Sequence, residues 1–517
     1  MGGTSVSIPV FLSMVLAIST VNMDQASRVY FETEITRNQD PSWHPGTYEQ
    51  YRETIPEEGE LVVRTVIERA TDTLDFAVIL ENGLADSIGT ALLDQWVADI
   101  EQQGMVVEVQ EVSYTAPESL RSYLSDLHQN GMEGAVLVGE LPVPWSALDN
   151  TFLRYGETFP SDYFYMDLDG VWEDEWIGYP SQSNPGQDGI YDTWSGDLTP
   201  EIYVGRIKTD NLGGVGDPTD LLRDYLERNH TWRDQGDTLP ACGLCYVDDD
   251  WAYWGPTYQA AMQELYPNTE LINDESQTNG TDYEQNRLQG NYYTWISPYV
   301  HSSSQLHQWS PGPSTYWYEV RDIDPQARFY NLFACSNCRF TENNHMGGVY
   351  AFGTTAGLAS VGSTKSGSML NFIEFYAPLG EGDNMGQAYQ DWWEYVSGNG
   401  ITPYEASWHL GMVLLGDPTL IPSSHVPVRA PELAELGPPL EIRALPNPSR
   451  GSLTLTVSRP VQAEVSVFDT AGRMVLRQGL TDGKTGLDLS GLPGGVYLAR
   501  LRTAGGRVGS VRLVRLD

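Results

Sequence analysis

The sequence predicts an α/β protein of doubly wound sheets in two subdomains, followed by a separate antiparallel β-sandwich. Three observations carry this reading. From Leu74 onward short apolar runs alternate with helical patterns, as parallel strands and their crossover helices require. Several of those runs stop abruptly at polar, reactive residues. Beyond Pro439 both the period and the charge change.

The 517 residues carry 29 Lys plus Arg against 70 Asp plus Glu, a net charge of -41. From Pro439 to the end there are 11 basic and 6 acidic residues, or +5, which leaves 18 against 64, or -46, for the first 438. An acid excess of this size repels nucleic acid and anionic lipid, and excludes them as partners. The chain is also longer than one core usually grows, so several domains are expected.

In chain order, Ile8 to Ile18 is an apolar stretch of signal-peptide length, and residues 1–27 are expected to be an export signal although no Lys or Arg precedes Arg28. No other segment is long and apolar enough for a transmembrane helix. Runs at Leu74 to Leu80, Val106 to Val112 and Ala135 to Val138 read as strands, with helices at about Ser87 to Gln103 and Pro117 to Gln129 between them. This βαβαβ unit implies a parallel sheet with helices on both faces. A loop-rich acidic segment, Pro160 to Gly196, precedes a strand at Glu201 to Ile207 and a helix at about Pro218 to Arg233.

A second βα series follows, with strands at Gly243 to Val247, Glu270 to Ile272, Thr294 to Val300, Phe329 to Ala334 and Leu358 to Val361. The expected boundaries are 28–235 and 236–425 for the two subdomains, 426–439 for a Pro-rich linker and 440–517 for the sandwich. In the sandwich, LTLTV, AEVSVFD, RMVLRQ, VYLARL and SVRLVR alternate apolar and polar residues between Gly, Asp and Pro turns.

Four cysteines form two C-x-x-C pairs, Cys242/Cys245 and Cys335/Cys338. The pairs are about ninety residues apart, outside the zinc-ribbon range. Cys242 and Cys245 lie in a strand, where residues three apart point to opposite faces. Structural zinc is therefore not expected, and neither pair opens a helix as a thioredoxin-like redox pair does.

Reactive groups in open α/β sheets collect beyond the carboxyl ends of the strands. Three strands end there in chemistry: Asp248-Asp249-Asp250, His301 and Cys335. A thiol, a base and a carboxylate to orient the base satisfy the triad logic of nucleophilic catalysis. His307 and His345 are alternative histidines, and Ser363, Thr364 and Ser366 lack the G-x-S-x-G elbow of a serine nucleophile.

An acid, a histidine and an Ala-Cys at successive strand ends resemble the gingipain family of cysteine peptidases, which has the caspase-type fold. Further blocks resemble that family in the same order: VLVGELPVP (Val136 to Pro144), PSDYFYMDLDG (Pro160 to Gly170), DLTPEIYVGRI (Asp197 to Ile207), ASVGST (Ala359 to Thr364) and LLGDPTL (Leu414 to Leu420). The resemblance implies a secreted cysteine endopeptidase with Cys335 as nucleophile and His301 as general base. Asp250, or Asp249 as next choice, would orient His301. The backbone N–H groups of Ser302 and Cys335 would form the oxyanion hole, and Ser363, Thr364 and Glu374 would be candidates for the substrate pocket.

Protein or peptide substrates are implied, and catalysis needs no cofactor. A structural calcium ion is also implied, with Asp167, Asp169 and Glu173 as candidate ligands, although their spacing is not that of an EF-hand. Two positions depart from the family pattern: Cys338 stands where it has glycine, and Val300-His301-Ser302 replaces Gly-His-Gly. The alternative is a catalytically silent homologue acting as a surface binding protein. In the tail, PNPSRG, FDTAGRMV and LDLSGLPGGVYLARL resemble the C-terminal sorting domains of the type IX secretion system. That machinery would be a partner, and the location would be extracellular or at the cell surface.

Overall fold

The computed structural model describes residues 45–423 and 442–516, apart from 72, 150–155, 237–240, 291–292, 458–462, 470–473, 482 and 504–507. The expected export signal and linker lie outside the described residues. The chain divides into two compact units, Met1–Ala430 and Pro431–Asp517.

The first unit is organised by an eleven-stranded sheet. Its first series contains β1 (Val63–Ile67), β2 (Phe76–Glu81), β3 (Val107–Val112) and β4 (Gly134–Val138). Two hairpins, β5 (Trp145–Asp149) with β6 (Gly156–Pro160) and β7 (Val171–Glu173) with β8 (Thr193–Ser195), precede β9 (Tyr203–Ile207). The second series supplies β10 (Gly243–Val247), β11 (Thr269–Ile272) and β12 (Trp295–Tyr299). A small sheet of β13 (His301–Ser303), β14 (Leu306–Gln308) and β15 (Thr315–Tyr316) interrupts it before β16 (Phe329–Leu332), β17 (Ala359–Ser363) and β18 (Met412–Gly416).

The strand order is β1-β3-β2-β4-β9-β18-β17-β16-β12-β10-β11. The two βα series are thus continuous through one sheet, joined where Leu415 of β18 meets Arg206 of β9. Within each series the neighbours run parallel, except that β1 closes one edge antiparallel to β3 and β18 is antiparallel to β17.

Sequence explains the elements locally. β4, β9, β10, β12, β16, β17 and β18 are buried along their whole length, which is why they read as continuous apolar runs without alternation. Successive side chains nevertheless go to opposite faces. Ala77 and Ile79 of β2 join one core cluster, and Phe76, Val78 and Leu80 join the other. Cys245 and Cys242 are divided in the same way between the two faces. All four cysteines are free.

The helix expected over Ser87 to Gln103 is two helices, Leu84–Ile88 and Thr90–Glu101. Gly89 between them has φ +90°, a conformation glycine adopts without steric penalty but an α-helix does not contain. The acidic segment after Pro160 is more ordered than its composition suggests, because Asp192 accepts the N–H groups of Glu175 and Trp176 and so ties the β7–β8 hairpin closed.

The second unit is a β-sandwich. One sheet holds β19 (Ile442–Leu445), β20 (Ser452–Val457) and β23 (Lys484–Asp488), and the other holds β21 (Ala463–Asp469), β22 (Met474–Leu480), β24 (Gly495–Thr503) and β25 (Val508–Arg515). All pairings are antiparallel. Leu453, Leu455 and Leu487 from one sheet and Val465, Val467, Leu501 and Leu513 from the other share one core, the arrangement that alternating strands impose.

Candidate active site

Three parallel strands end in register. Val247 of β10 lies opposite Tyr299 of β12, and Tyr299 bridges Phe333 just beyond β16. The ladder continues one step further, with the Asp248 N–H donating to the Tyr299 carbonyl at 2.9 Å and the Val300 N–H to the Phe333 carbonyl at 3.1 Å. Asp248-Asp249-Asp250, His301 and Cys335 follow directly, so the sheet brings all three groups to one edge.

Asp250, not Asp249, meets the histidine: His301 Nε2 lies 2.8 Å from Asp250 Oδ2. Both side chains are almost buried. Asp250 belongs to the helical turn Asp249–Trp254 that β10 runs into, and Trp251 from the same turn packs against the imidazole at a ring separation of 4.5 Å. Asp248 has a different task. Its carboxylate accepts the Ser310 N–H, and burial together with the Asp249 charge pushes its pKa up to about 8.

His301 opens β13, whose hairpin partner is β14. The next residue, Ser302, donates its hydroxyl to the Cys335 carbonyl at 2.6 Å. The histidine loop is therefore fastened to the cysteine residue itself. A glycine at 302 would lack this bond, and the serine hydroxyl is what the Val-His-Ser sequence adds. Asn337 makes a second tie, with Nδ2 donating to the carbonyls of Ser303 and Leu306.

Cys335 is 9% exposed. Burial pushes its thiol up to about 11, the Glu157 carboxylate adds to that shift, and the Gly367 N–H and Lys365 ammonium oppose it. Directly after it Ser336 has φ +59°, a left-handed conformation uncommon for a residue with a Cβ. The bonds from the Ser336 N–H to the Lys365 carbonyl, 2.9 Å, and from the Arg339 N–H to the Ser336 carbonyl, 3.0 Å, hold that turn.

Ser363 and Thr364, expected in the substrate pocket, lie beside the Cys335 loop. Both are fully buried and brace the loop after Cys335: the Ser363 carbonyl accepts the Cys338 N–H at 3.0 Å and the Thr364 carbonyl accepts Arg339 Nη1 at 2.9 Å. The Thr364 hydroxyl donates to the Pro160 carbonyl. Glu374 lies on the helix Ile373–Glu381, packed against the helix Met385–Ser397. Burial and the charge of Asp391 on that second helix raise its pKa.

Glu157 on β6 is the acid that the sequence reading missed. Its Oε1 accepts the Ser366 N–H at 3.2 Å and its Oε2 lies 3.9 Å from the buried Lys365 ammonium. Nothing in the local sequence marks it, since it meets the Lys365–Ser366 segment from 209 residues upstream of Ser366. The alternative histidines are structural. His307 is buried with Nε2 3.1 Å from the Tyr350 hydroxyl, and His345 accepts the Gly348 N–H as the N-cap of Met346–Phe352. Burial pushes both down to about 3, so both are neutral.

Two of the three candidate calcium ligands come together. Asp167, Asp169 and Glu201 gather, while Glu173 is exposed on β7 opposite Thr193. Protein donors already hold this group: Asp167 accepts the Gly170 N–H and Trp172 Nε1, Glu201 accepts the Leu168 N–H, and Arg121 Nη2 lies 3.6 Å from Asp167. Arg121 supplies a positive charge beside Asp167. No helix among the described residues is long and apolar enough to cross a membrane.

Comparison with known proteins adds the following. Residues 443–514 match the family model of the secretion system C-terminal sorting domain. The chain thus carries a type IX sorting domain, which directs export through the outer membrane to the cell surface or beyond. No curated protein matches the chain. Among solved structures, the Arg-specific cysteine proteinase gingipain R is similar at 12% identity and TM-score 0.46, over 86% of this chain and 99% of that one. The complex of RgpB pro- and mature domains from Porphyromonas gingivalis is similar at 14% identity and TM-score 0.46, over 86% of this chain and 100% of that one. Dimeric latent PorU from the same organism is similar at 10% identity and TM-score 0.28, over 86% of this chain and 43% of that one.

Proposed function

We propose that the protein is an exported cysteine endopeptidase in which Cys335 is the nucleophile, His301 the general base and Asp250 the residue that orients it. The observation that carries this reading is the 2.8 Å Asp250–His301 contact, on a loop tied to Cys335 by the Ser302 hydroxyl. An ionised Asp250 holds the imidazole proton on Nε2 and leaves the Nδ1 lone pair as the base.

His301 Nδ1 takes the thiol proton as Cys335 sulfur attacks the substrate carbonyl carbon. The C=O electron pair moves to oxygen, and the oxyanion is received by the N–H groups of Ser302 and Cys335. As the tetrahedral intermediate collapses, the C–N bond breaks and His301 returns the proton to the leaving amine. Water, deprotonated by His301, then releases the acyl group and restores the thiol. No step requires a cofactor.

A second reading, a silent homologue that binds at the surface, is favoured by one observation: the Cys335 thiol is shielded and its pKa is pushed up to about 11. Labelling with a panel of peptidyl acyloxymethyl ketones separates the two. Modification of Cys335 in the wild type that disappears in Cys335→Ala and His301→Ala is expected. Asp250→Asn is expected to fold but to lose about two to four orders of magnitude in kcat with KM little changed. An unreactive Cys335 in folded, processed protein would leave the binding reading.

A further inference from the structure

Lys365 is a buried cation that the proposed mechanism leaves without a task. It follows β17, and its side chain is fully enclosed. The stem is packed so closely that a Cβ at Gly411 would lie 2.6 Å from Lys365 Cγ. Nζ donates to the carbonyls of Ser366 and Ser407. Ser407 belongs to the last turn of the helix Pro403–His409, and the carbonyls at a helix C-terminus favour a cation. Nζ also lies over the Phe159 ring, 5.4 Å from its centroid.

These neighbours hold the ammonium in place but do not neutralise it. Its carboxylate partner is Glu157, with Oε2 at 3.9 Å, beyond hydrogen-bond length. Oε1 of the same carboxylate accepts the Ser366 N–H at 3.2 Å. A buried charge so loosely matched is costly unless a second anion stands nearby. Cys335 is the neighbour that can supply one. The Lys365 carbonyl accepts the Ser336 N–H at 2.9 Å, and the Gly367 N–H donates to the Cys335 sulfur, so residues 365–367 lie along Cys335. Burial lowers the Lys365 pKa, and the charges of Glu157 and Cys335 raise it. The other titratable groups that the sheet brings to this edge are His301 and the run Asp248 to Asp250.

We propose that Lys365 and Glu157 are a pair of positioning residues that set how much of Cys335 is thiolate: the Lys365 ammonium holds the negative sulfur, and the Glu157 carboxylate limits it. The proposal rests on the peptidase reading and adds a second, fixed cation to the His301 imidazole. The thiol proton still passes to His301 Nδ1. What Lys365 supplies is a positive charge already in place when the thiolate forms, so no group has to reorganise around it.

The test is the rate at which iodoacetamide alkylates Cys335 in the full-length protein, read at that residue by mass spectrometry. Only the thiolate reacts, and so small a reagent needs no peptide recognition. Lys365→Gln removes the charge and keeps a donor for the two carbonyls, and Glu157→Gln keeps an acceptor for the Ser366 N–H. At pH 8 alkylation is expected to be about tenfold slower in Lys365→Gln and about threefold faster in Glu157→Gln. A loosened loop would expose the sulfur and speed both variants, so opposite directions separate charge from packing. Melting curves establish that each variant is folded, and where Lys365→Gln is not, Glu157→Gln decides alone. A rate unchanged in either folded variant, or moved in the same direction in both, would overturn the proposal. Opposite changes in a protein whose Cys335 no peptidyl acyloxymethyl ketone labels would overturn only the peptidase reading.

Discussion

Three consecutive aspartates after β10 have separate environments, and the difference is set within one turn of chain. Asp250 turns to His301, while Asp248 is buried beneath the loop with the Ser310 N–H as donor. A carboxyl whose folded pKa is about 8 binds its proton more tightly folded than unfolded. Its contribution to stability is complete below the ordinary carboxylate pKa and is lost as pH rises through about 8. Asp248→Asn removes that dependence and retains a side-chain acceptor for Ser310. The melting temperature of the variant minus that of the wild type is expected to increase between pH 5 and pH 8. A flat difference across that range would show that Asp248 is ionised in the fold.

At the scale of elements, the loop after Cys335 is held by close approach of β17 and the helix Met346–Phe352. A Cβ at Gly347 would lie 2.4 Å from Cys338 Sγ, and one at Gly362 would lie 2.7 Å from it. The departure of Cys338 from glycine is thus matched by two glycines packed around its sulfur. Because position 347 is helical, alanine is intrinsically favoured there, and the nearest obstacle is that one sulfur atom. Gly347→Ala is expected to destabilise by about 1–3 kcal/mol alone and to be near neutral in a Cys338→Ala background, measured as a double-mutant cycle in urea. Additive effects would show that the helix and the loop do not meet through Cys338.

For the whole molecule, the division after Ala430 separates a unit that holds every proposed catalytic group from a sandwich with its own core. Deleting residues 431–517 is expected to leave His301-dependent labelling of Cys335 in the purified protein within about twofold of the full chain, since an independent domain keeps its fold without a neighbour. In cells the truncated protein is expected to accumulate inside the outer membrane. Cell fractionation with immunoblotting checks this, and surface exposure of the truncated chain would separate export from the sorting domain.

The α/β class, most strand positions and the terminal sandwich were legible in the sequence, because strand burial and side-chain period are local properties of the chain. The placement of Asp250, His301 and Cys335 at strand ends was legible for the same reason: each apolar run stops where its strand stops. Residue pairing was not. Glu157 and Lys365 meet near Cys335 from distant parts of the chain, Glu201 lies beside Asp167 and Asp169 where Glu173 does not, and Ser363 and Thr364 are buried against the loop after Cys335. Each of these depends on which loops the sheet order brings together. By itself the sequence determined that the chain forms buried parallel strands with reactive ends and an alternating, basic tail. Only the tertiary structure decided that both βα series share one sheet, because a single junction between β9 and β18 sets which loops become neighbours.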